Sequence, residues 1–294
     1  MAGIARVGWG LGAKAPLQLP HGRLRRIVAG ACRLLAAGSL AVAAGASAAM
    51  ATAAADNSCR GVVYLTLDTG NMSQAERIAD ILRRHGVKAT FFLANEATPR
   101  GDHTLDDAWA SFWRQRAAEG HAFGSHTFDH VYFKGASSGA AGRRYTVRPQ
   151  FGANAGRSLQ WNDAQLCAEL QRVDTRFRDL AGRGLDPLWR VPGGRAPSQV
   201  MRGAAKCGYE HVGWSSAGFL GDELSSEKHP NRALLADSLA RIRDGDILMA
   251  HLGIWSRRDP YAPTLDPLIA GLKARGLCFR TIPEHPVYGQ RQRP

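Results

Sequence analysis

Short apolar runs alternate with helix-length amphipathic segments along most of this chain of 294 residues. Val62–Leu67 and Ala89–Leu93 have the length and composition of buried strands, and Ile78 and Leu82 lie on one face of a predicted helix between them. This alternation is typical of βαβ units, which build a parallel sheet that is either closed as a barrel or open and doubly wound. No GxGxxG pattern follows the first strand, which argues against a dinucleotide-binding fold.

The same pattern continues to the end of the chain. A capping box at Ser73–Glu76 is predicted to begin the first helix, and the next long helix is expected to begin at Asn162 or Asp163. Residues 131–161 are Gly-rich, basic and irregular, so we expect a long functional loop that forms part of a substrate groove. Further strands are predicted at His121–Thr127, Pro187–Val191, His211–Trp214, Asp246–His251 and Cys278–Ile282.

Residues 1–55 differ from the rest of the chain. They contain six Lys or Arg and no Asp or Glu, and the 22 residues from Leu34 to Ala55 are uncharged. A basic region before an apolar, small-residue run predicts a signal peptide, cleaved between Ala48 and Ala55, and a catalytic domain at residues 56–294. The alternative is a retained membrane anchor, but an Ala-rich run with two glycines is a weak span. We therefore expect an exported protein, periplasmic or secreted, with no stable membrane anchor after cleavage.

The charge balance excludes one class of partner. The chain has 38 basic and 25 acidic residues; without the six basic residues of the predicted signal, 32 remain against 25, a net charge of +7. No dense Lys/Arg run is interleaved with aromatic residues, so nucleic acid is not an expected partner. A mildly basic surface is compatible with an anionic cell-wall polymer.

Several polar residues fall at the carboxyl ends of predicted strands, the edge at which parallel barrels carry their active sites. Asp68, His126, Arg190, Pro192 and His251 all occupy such positions. His126 also begins an H-x-x-x-H pattern, and on a helical turn this spacing brings two imidazoles to one face, where both can bind a zinc-like ion.

The order of the motifs resembles that of the polysaccharide deacetylases, carbohydrate esterase family 4, which contain the NodB homology domain. Members typically show T-F-D-D-G, H-[ST]-x-x-H, R-x-P-[GY] and L-x-H, and the resemblance spans roughly residues 60 to 285. The matching segments here are Leu65–Gly70, His126–His130, Arg190–Gly193 and Leu248–His251, with Lys88–Leu93 similar to the second strand of the family.

The resemblance implies a single-domain, distorted (β/α) barrel of about seven parallel strands, with a divalent metal that is usually zinc. His126 and His130 would bind the metal, and Asp68 would be the general base that activates water. His251 would be the general acid for the leaving amine, and Arg190 would orient Asp68. Pro192, Gly193 and Trp214 are candidate substrate-binding residues.

Two positions depart from the family pattern. Thr69 stands where the family has a second Asp, the third metal ligand, and a hydroxyl is a poorer ligand than a carboxylate. The fourth motif is replaced by Trp214–Asp222, in which Asp222 is a candidate partner of His251; the alternative is a solvated loop carboxylate beside Glu223.

Four cysteines follow the predicted signal, and an even number in an exported protein favours disulfides. Cys59 precedes the first strand and Cys278 opens the last, and these strands are neighbours in a closed or nearly closed barrel. Cys167 and Cys207 lie on consecutive helices. The expected pairs are therefore Cys59–Cys278 and Cys167–Cys207; the alternative is four reduced cysteines in a cytosolic enzyme.

These features predict an exported, metal-dependent hydrolase that removes N-acetyl groups from an amino-sugar polymer such as peptidoglycan or an exopolysaccharide. Two alternatives remain open. Thr69 is the feature that favours a catalytically silent carbohydrate-binding barrel. The other alternative is a hydrolase of another small acyl group, either an O-acetyl ester or a formamide.

Overall fold

A computed structural model describes residues 59–140 and 142–290 of the chain. The predicted signal peptide and its cleavage region lie outside these residues. The strands of the described part are β1 (Gly61–Asp68), β2 (Thr90–Leu93), β3 (Ala122–Ser125), β4 (Tyr132–Gly139), β5 (Gly142–Arg148), β6 (Leu159–Trp161), β7 (Leu188–Trp189), β8 (Glu210–His211), β9 (Ile247–His251) and β10 (Leu277–Phe279).

Seven strands form one parallel sheet in the order β10-β1-β2-β3-β7-β8, with β9 also paired to β1. The segment after β8 returns to β9, where Phe219 forms a parallel bridge with Met249 and the N–H of Leu220 donates to the Met249 carbonyl at 3.2 Å. The sheet therefore curls into the distorted (β/α) barrel that the sequence predicts.

Helices flank this sheet, and several of them form the main core with the strands. They are α1 (Ala75–His85), α2 (Ala110–Ala118), α3 (Asp163–Ala181), α4 (Ser198–Lys206), α5 (Asn231–Arg241), α6 (Leu265–Ala274) and α7 (Pro286–Gln290). Helices α1, α2, α3 and α6 bury apolar residues against strands such as β1 and β2, whereas α4 packs in a second core and α7 has no buried residue. This packing fixes the positions of the strand ends, where a site can form.

The two predicted helix starts have different outcomes. Helix α3 begins after Asn162 with a complete capping box, in which Asn162 and Gln165 exchange side-chain to backbone hydrogen bonds. The capping box predicted at Ser73 is wrong: the N-cap of α1 is Gln74, which makes no side-chain capping bond. The N–H of Ser73 donates to Oδ1 of Asn71 at 3.0 Å, so Ser73 belongs to a turn stabilised by Asn71 rather than to the helix start.

The prediction that residues 131–161 form an irregular loop is also wrong. They form a three-stranded antiparallel sheet, β4-β5-β6. Phe133, Tyr145 and Val147 are buried and pack in a second core with Trp189 and Leu166. The Gly and Ser residues of β4 interrupt the alternation of apolar and polar residues, which hides the strand in the sequence.

Two disulfides join the same pairs that the order of the elements predicts. Cys59 is bonded to Cys278, with the Cα atoms 5.6 Å apart, and Cys167 to Cys207, with the Cα atoms 5.5 Å apart. The first bond lies beside the pairing of β1 with β10, and the second links α3 to the end of α4. Within the described ranges, no helix has the length and apolar character needed to cross a membrane.

Candidate active site

A cleft opens at the carboxyl ends of the parallel strands, and strand register brings distant residues to it. Asp68 and His251 are paired residues at the ends of β1 and β9. His126 follows β3, and its N–H donates to the Leu93 carbonyl at the end of β2 at 2.7 Å. The N–H of Arg190 donates to the Ser125 carbonyl at 2.8 Å, which places Arg190 beside His126. The cleft is lined by Asp68, His126, His130 and His251, and Arg190 lies buried beneath it.

Asp68 and Arg190 form a buried ion pair. Nη1 of Arg190 donates to Oδ1 of Asp68 at 2.9 Å, while Nε and Nη2 donate to the carbonyls of Val212 and Gly213 at 3.1 and 3.0 Å. Burial alone would raise the pKa of Asp68, but the charge of Arg190, aided by His126 and His251, lowers it below the ordinary value. Asp68 is therefore an ionised carboxylate with a fixed orientation, as a general base requires.

His126 and His130 converge through a tight turn, which corrects the expected helical turn. Strand β3 ends at Ser125, and Thr127 and His130 both have left-handed backbone conformations, with φ of 61° and 47°. The two ring centroids are 5.0 Å apart. The four-residue spacing thus brings the imidazoles together by backbone reversal instead of by one turn of a helix, because the left-handed residues fold the chain back on itself.

Both imidazoles are neutral at neutral pH because burial disfavours the charged form. It lowers the pKa of His126, and it lowers that of His130 to about 3. Nδ1 of His126 lies 2.9 Å from the Arg190 carbonyl, which can only accept, so Nδ1 carries the proton and Nε2 keeps its lone pair. Nε2 lies 3.6 Å from Oδ2 of Asp68.

His251 is held in the opposite protonation state by Asp222. The His251 N–H donates to Oδ2 of Asp222 at 2.7 Å, and its Nδ1 lies 3.1 Å from Oδ1. Burial alone would lower the pKa of His251, but the charge and hydrogen bond of Asp222, together with Asp68, raise it to about 9. Asp222 is 3% exposed, so it is the buried partner of His251 and not a solvated loop carboxylate.

Comparison with protein families decides what kind of protein carries this cleft. The family model described as polysaccharide deacetylase matches residues 55–212, more than half of the chain. The chain belongs to the polysaccharide deacetylase family. Its members are hydrolases that act on carbon–nitrogen bonds, so the protein is an enzyme of that class.

Curated relatives of this deacetylase match along most of its length. It is 27% identical over 234 residues to a chitooligosaccharide deacetylase of Azorhizobium caulinodans, covering 75% of this chain and 92% of the relative. It is 24% identical to a peptidoglycan-N-acetylmuramic acid deacetylase of Bacillus subtilis, covering 77% of this chain and 72% of the relative. A family 4 acetyl xylan esterase of Clostridium thermocellum, solved with a cobalt ion, shares the fold with a TM-score of 0.57 at 21% identity, covering 76% of this chain and 89% of that one.

The family implies a divalent metal, and the two cleft imidazoles fit one in part. Both are neutral nitrogen donors, and Nδ1 of His130 is buried without a hydrogen-bond partner in the described part of the chain, as expected for a nitrogen that binds another ligand. In residues 59–140 and 142–290, no group of three or more His, Cys, Asp or Glu side chains is already assembled to hold a metal ion. The deacetylase therefore presents two candidate nitrogen ligands, and its described residues hold no preassembled third.

Thr69 does not take the place of the missing carboxylate. Its hydroxyl donates to Oε1 of Glu96 at 2.7 Å and accepts from the N–H of Ala94 at 3.1 Å. The side chain has no exposed surface and does not line the cleft, whereas Glu96 does. Thr69 is thus a buried residue whose hydroxyl positions a second carboxyl group, that of Glu96, at the cleft.

The predicted substrate-binding residues occupy two adjoining depressions. Gly193 and Trp214 line the cleft, whereas Pro192 is buried and lines the neighbouring groove instead. Gly193 and Gly194 both have φ of 69°, and a Cβ on Gly194 would lie 2.5 Å from the Trp214 ring. Only glycine fits there without displacing Trp214.

Glu96, Tyr132 and Trp255 are among the cleft-lining residues that sequence reasoning missed. Glu96 follows the end of β2 by three residues, so the rule that selected Asp68 also applied to it. Trp255 follows His251 by four residues and is 62% exposed, which is unusual for so large an apolar side chain. Tyr132 begins a strand that the sequence pattern did not reveal.

Proposed function

We propose that this deacetylase is an exported, metal-dependent hydrolase that removes N-acetyl groups from an amino-sugar polymer. One observation carries the proposal: the cleft holds an ionised carboxylate, Asp68, and a protonated imidazole, His251, at paired positions on neighbouring strands. Hydrolysis of an amide needs a base for the attacking water and an acid for the leaving amine, and these two groups have the required protonation states.

In the proposed reaction, Asp68 accepts a proton from water as the water oxygen bonds to the acetamide carbon. Arg190 keeps Asp68 ionised and oriented through the hydrogen bond between them. His251 then donates a proton to the sugar nitrogen, the carbon–nitrogen bond breaks, and acetate and a free amine leave. Asp222 maintains the proton on His251 until that step.

His126 and His130 would hold the divalent ion, with zinc the expected metal. When bound, such an ion supplies Lewis-acid polarisation of the acetamide carbonyl and lowers the pKa of water to about 7. The chain itself fixes the proton of His126 on Nδ1 through the Arg190 carbonyl, which leaves Nε2 as the donor atom.

The proposed substrate is a polymer outside the cytoplasm, either peptidoglycan or an exopolysaccharide. The relatives' names, chitooligosaccharide and peptidoglycan deacetylases, support an N-acetylated sugar chain. The exposed ring of Trp255 at the cleft offers an apolar face on which a sugar ring can stack. Residues 1–55 place a basic region before an uncharged run of small residues, the order expected of a signal peptide. This order and the two disulfides support export to a periplasmic or extracellular site.

The test is acetate release from N-acetylglucosamine oligomers and from peptidoglycan, measured before chelation, after chelation and after single metals are added back. We expect activity to be lost on chelation and to return with zinc or cobalt. An O-acetylated xylan oligomer serves as the comparison substrate. Faster acetate release from the ester than from the amide would indicate an O-acetyl esterase instead.

The second candidate is a catalytically silent carbohydrate-binding barrel, which Thr69 favours because it removes a carboxylate from the metal-binding pattern. In that case the protein would bind the oligomers without releasing acetate under any metal condition. Binding without turnover, measured on the same preparations, separates the two functions.

A further inference from the structure

Glu96 is a buried carboxyl group that the proposed reaction does not use. It lies just past the end of β2, lines the same cleft as Asp68, His126 and His130, and is only 8% exposed. Burial raises the pKa of Glu96 to about 7, although the hydrogen bond from the Thr69 hydroxyl, the charge of His251 and a hydrogen bond from the Gly70 backbone oppose this effect. A carboxyl group with so little exposed surface needs a compensating charge or bond to be retained.

Thr69 fixes the position of this carboxyl group. The Thr69 hydroxyl donates to Oε1 of Glu96 at 2.7 Å. Because Thr69 directly follows Asp68 in the chain, this bond holds the Glu96 carboxyl group beside the end of β1. The hydroxyl is itself oriented by the Ala94 N–H, and the Glu96 N–H donates to Oγ1 of Thr104 at 3.2 Å. Glu96 is therefore held from both its side chain and its backbone.

The cationic residues of the cleft are already paired with other carboxylates. Arg190 is paired with Asp68, and His251 is paired with Asp222, so each of these cations already has an anionic partner. The Glu96 side chain accepts from a neutral hydroxyl and forms no salt bridge with the described residues, although the charge of His251 acts on it from a longer distance. Two neutral imidazoles and a carboxylate are a common ligand combination for zinc.

We infer that Glu96 supplies the anionic ligand for a divalent cation held by His126 and His130, in place of a carboxylate at position 69. The inference rests on the proposed metal-dependent function. Because the three side chains are not already assembled as a ligand set, the Glu96 side chain must shift on binding, which its three rotatable bonds allow. Thr69 keeps it close to the site until then.

The inference is tested by titrating the purified protein with Zn²⁺ alone, in competition with a chromophoric chelator, and with Co²⁺ alone by visible absorption. Glu96→Gln removes the charge but keeps an oxygen that can accept from Thr69. We expect this variant to bind zinc at least about 10-fold more weakly, because even the loss of an outer-shell partner of a ligand costs about 10- to 100-fold, and to have a different cobalt spectrum. Adding Thr69→Asp to Glu96→Gln should restore zinc affinity to near the wild-type level.

Glu223→Gln is the matched control, because it removes another carboxylate that lines the same cleft and does not contact Thr69. We expect it to leave zinc affinity and the cobalt spectrum unchanged. Thermal unfolding of each metal-free variant verifies that the proteins are folded. Equal zinc affinity and identical cobalt spectra for wild-type protein and Glu96→Gln would overturn the inference.

Acetate release by the wild-type protein separates this inference from the proposed function. If wild-type protein releases acetate in a metal-dependent way and Glu96→Gln binds zinc as tightly, only the role of Glu96 is wrong. If wild-type protein binds neither ion and releases no acetate, the proposed function fails together with the role of Glu96.

Discussion

The titratable residues of the cleft differ in protonation because their immediate neighbours differ. Arg190 keeps Asp68 ionised, Asp222 keeps His251 protonated, and burial keeps His126 and His130 neutral. Groups with such separated pKa values, all within one cleft, can divide the base, acid and ligand roles among them.

The protonated state of His251 predicts the alkaline limb of the pH profile. An acid must be protonated to act, so kcat/KM should fall as the pH rises through about 9, the pKa of His251. Asp222→Asn removes the charge that raises this pKa and should move the alkaline limb to lower pH. Glu223→Gln, which removes a weaker contribution, should move it less in the same direction. An alkaline limb that stays in place in Asp222→Asn would contradict the role of His251.

The metal-ligand role predicts the effect of removing either cleft imidazole. His126→Ala and His130→Ala should each lose most bound metal, measured by elemental analysis of purified protein. His211→Ala is the control: His211 is a half-buried imidazole with a lowered pKa, and its buried Nε2 has no hydrogen-bond partner among the described residues, but it does not line the cleft. Full metal content in both cleft variants would show that the ion binds elsewhere.

The sequence predicts the residues whose positions follow from strand ends. Asp68, His126, Arg190 and His251 are found together because the ends of parallel strands share one edge of a sheet. The contact of Asp222 with His251 spans 29 residues and depends on how the segment after β8 returns to β9. The sequence indicated Asp222 only as a candidate, because no local sequence pattern predicts how this segment comes back to β9.

At the scale of elements, local chemistry predicts some boundaries and tertiary packing determines others. Asn162 and Gln165 form the capping box of α3 without help from distant residues, so the sequence predicts this helix start correctly. Strands β4 and β5 are held by cross-strand pairing and by burial of Tyr145 against α3 and α4. Such long-range contacts override a Gly-rich, weakly patterned sequence.

The difference between the two helix starts predicts different costs of substitution. Asn162→Ala should lower the free energy of unfolding by about 0.5–2 kcal/mol, because it removes a cap that accepts the Gln165 N–H. Gln74→Ala, at the N-cap of α1, should change it by less than about 0.5 kcal/mol, because Gln74 makes no capping bond. Urea denaturation of both variants measures the difference. Equal losses would show that the capping box of α3 contributes nothing of its own.

At the scale of the whole molecule, two disulfides connect parts of the barrel that are distant in sequence. The Cys59–Cys278 bond spans 219 residues and links the first strand to the last, whereas Cys167–Cys207 spans 40 residues within the helical layer. The first bond therefore restricts the unfolded chain more than the second does.

The loop lengths predict an order of stabilisation. In the loop-entropy picture, removal of Cys59–Cys278 should cost about 5 kcal/mol and removal of Cys167–Cys207 about 4 kcal/mol. Denaturant unfolding of the paired Cys→Ala variants tests this order, and peptide mapping without reductant tests the pairing. A peptide that joins Cys59 to Cys167 or Cys207 would contradict the strand order, and four free thiols in the exported protein would contradict export into an oxidising compartment.

The most direct test of the central claim is the rate of acetate release from an N-acetylglucosamine oligomer by wild-type protein and by Asp68→Asn, both saturated with zinc. The substitution keeps the size of the side chain and removes the base that Arg190 holds in place. We predict zinc-dependent release by wild-type protein and a kcat about 10²- to 10⁴-fold lower in Asp68→Asn, the usual contribution of a general base. A loss of only a few-fold, or no acetate release by the wild-type protein, would contradict the assignment of this cleft as a deacetylase active site.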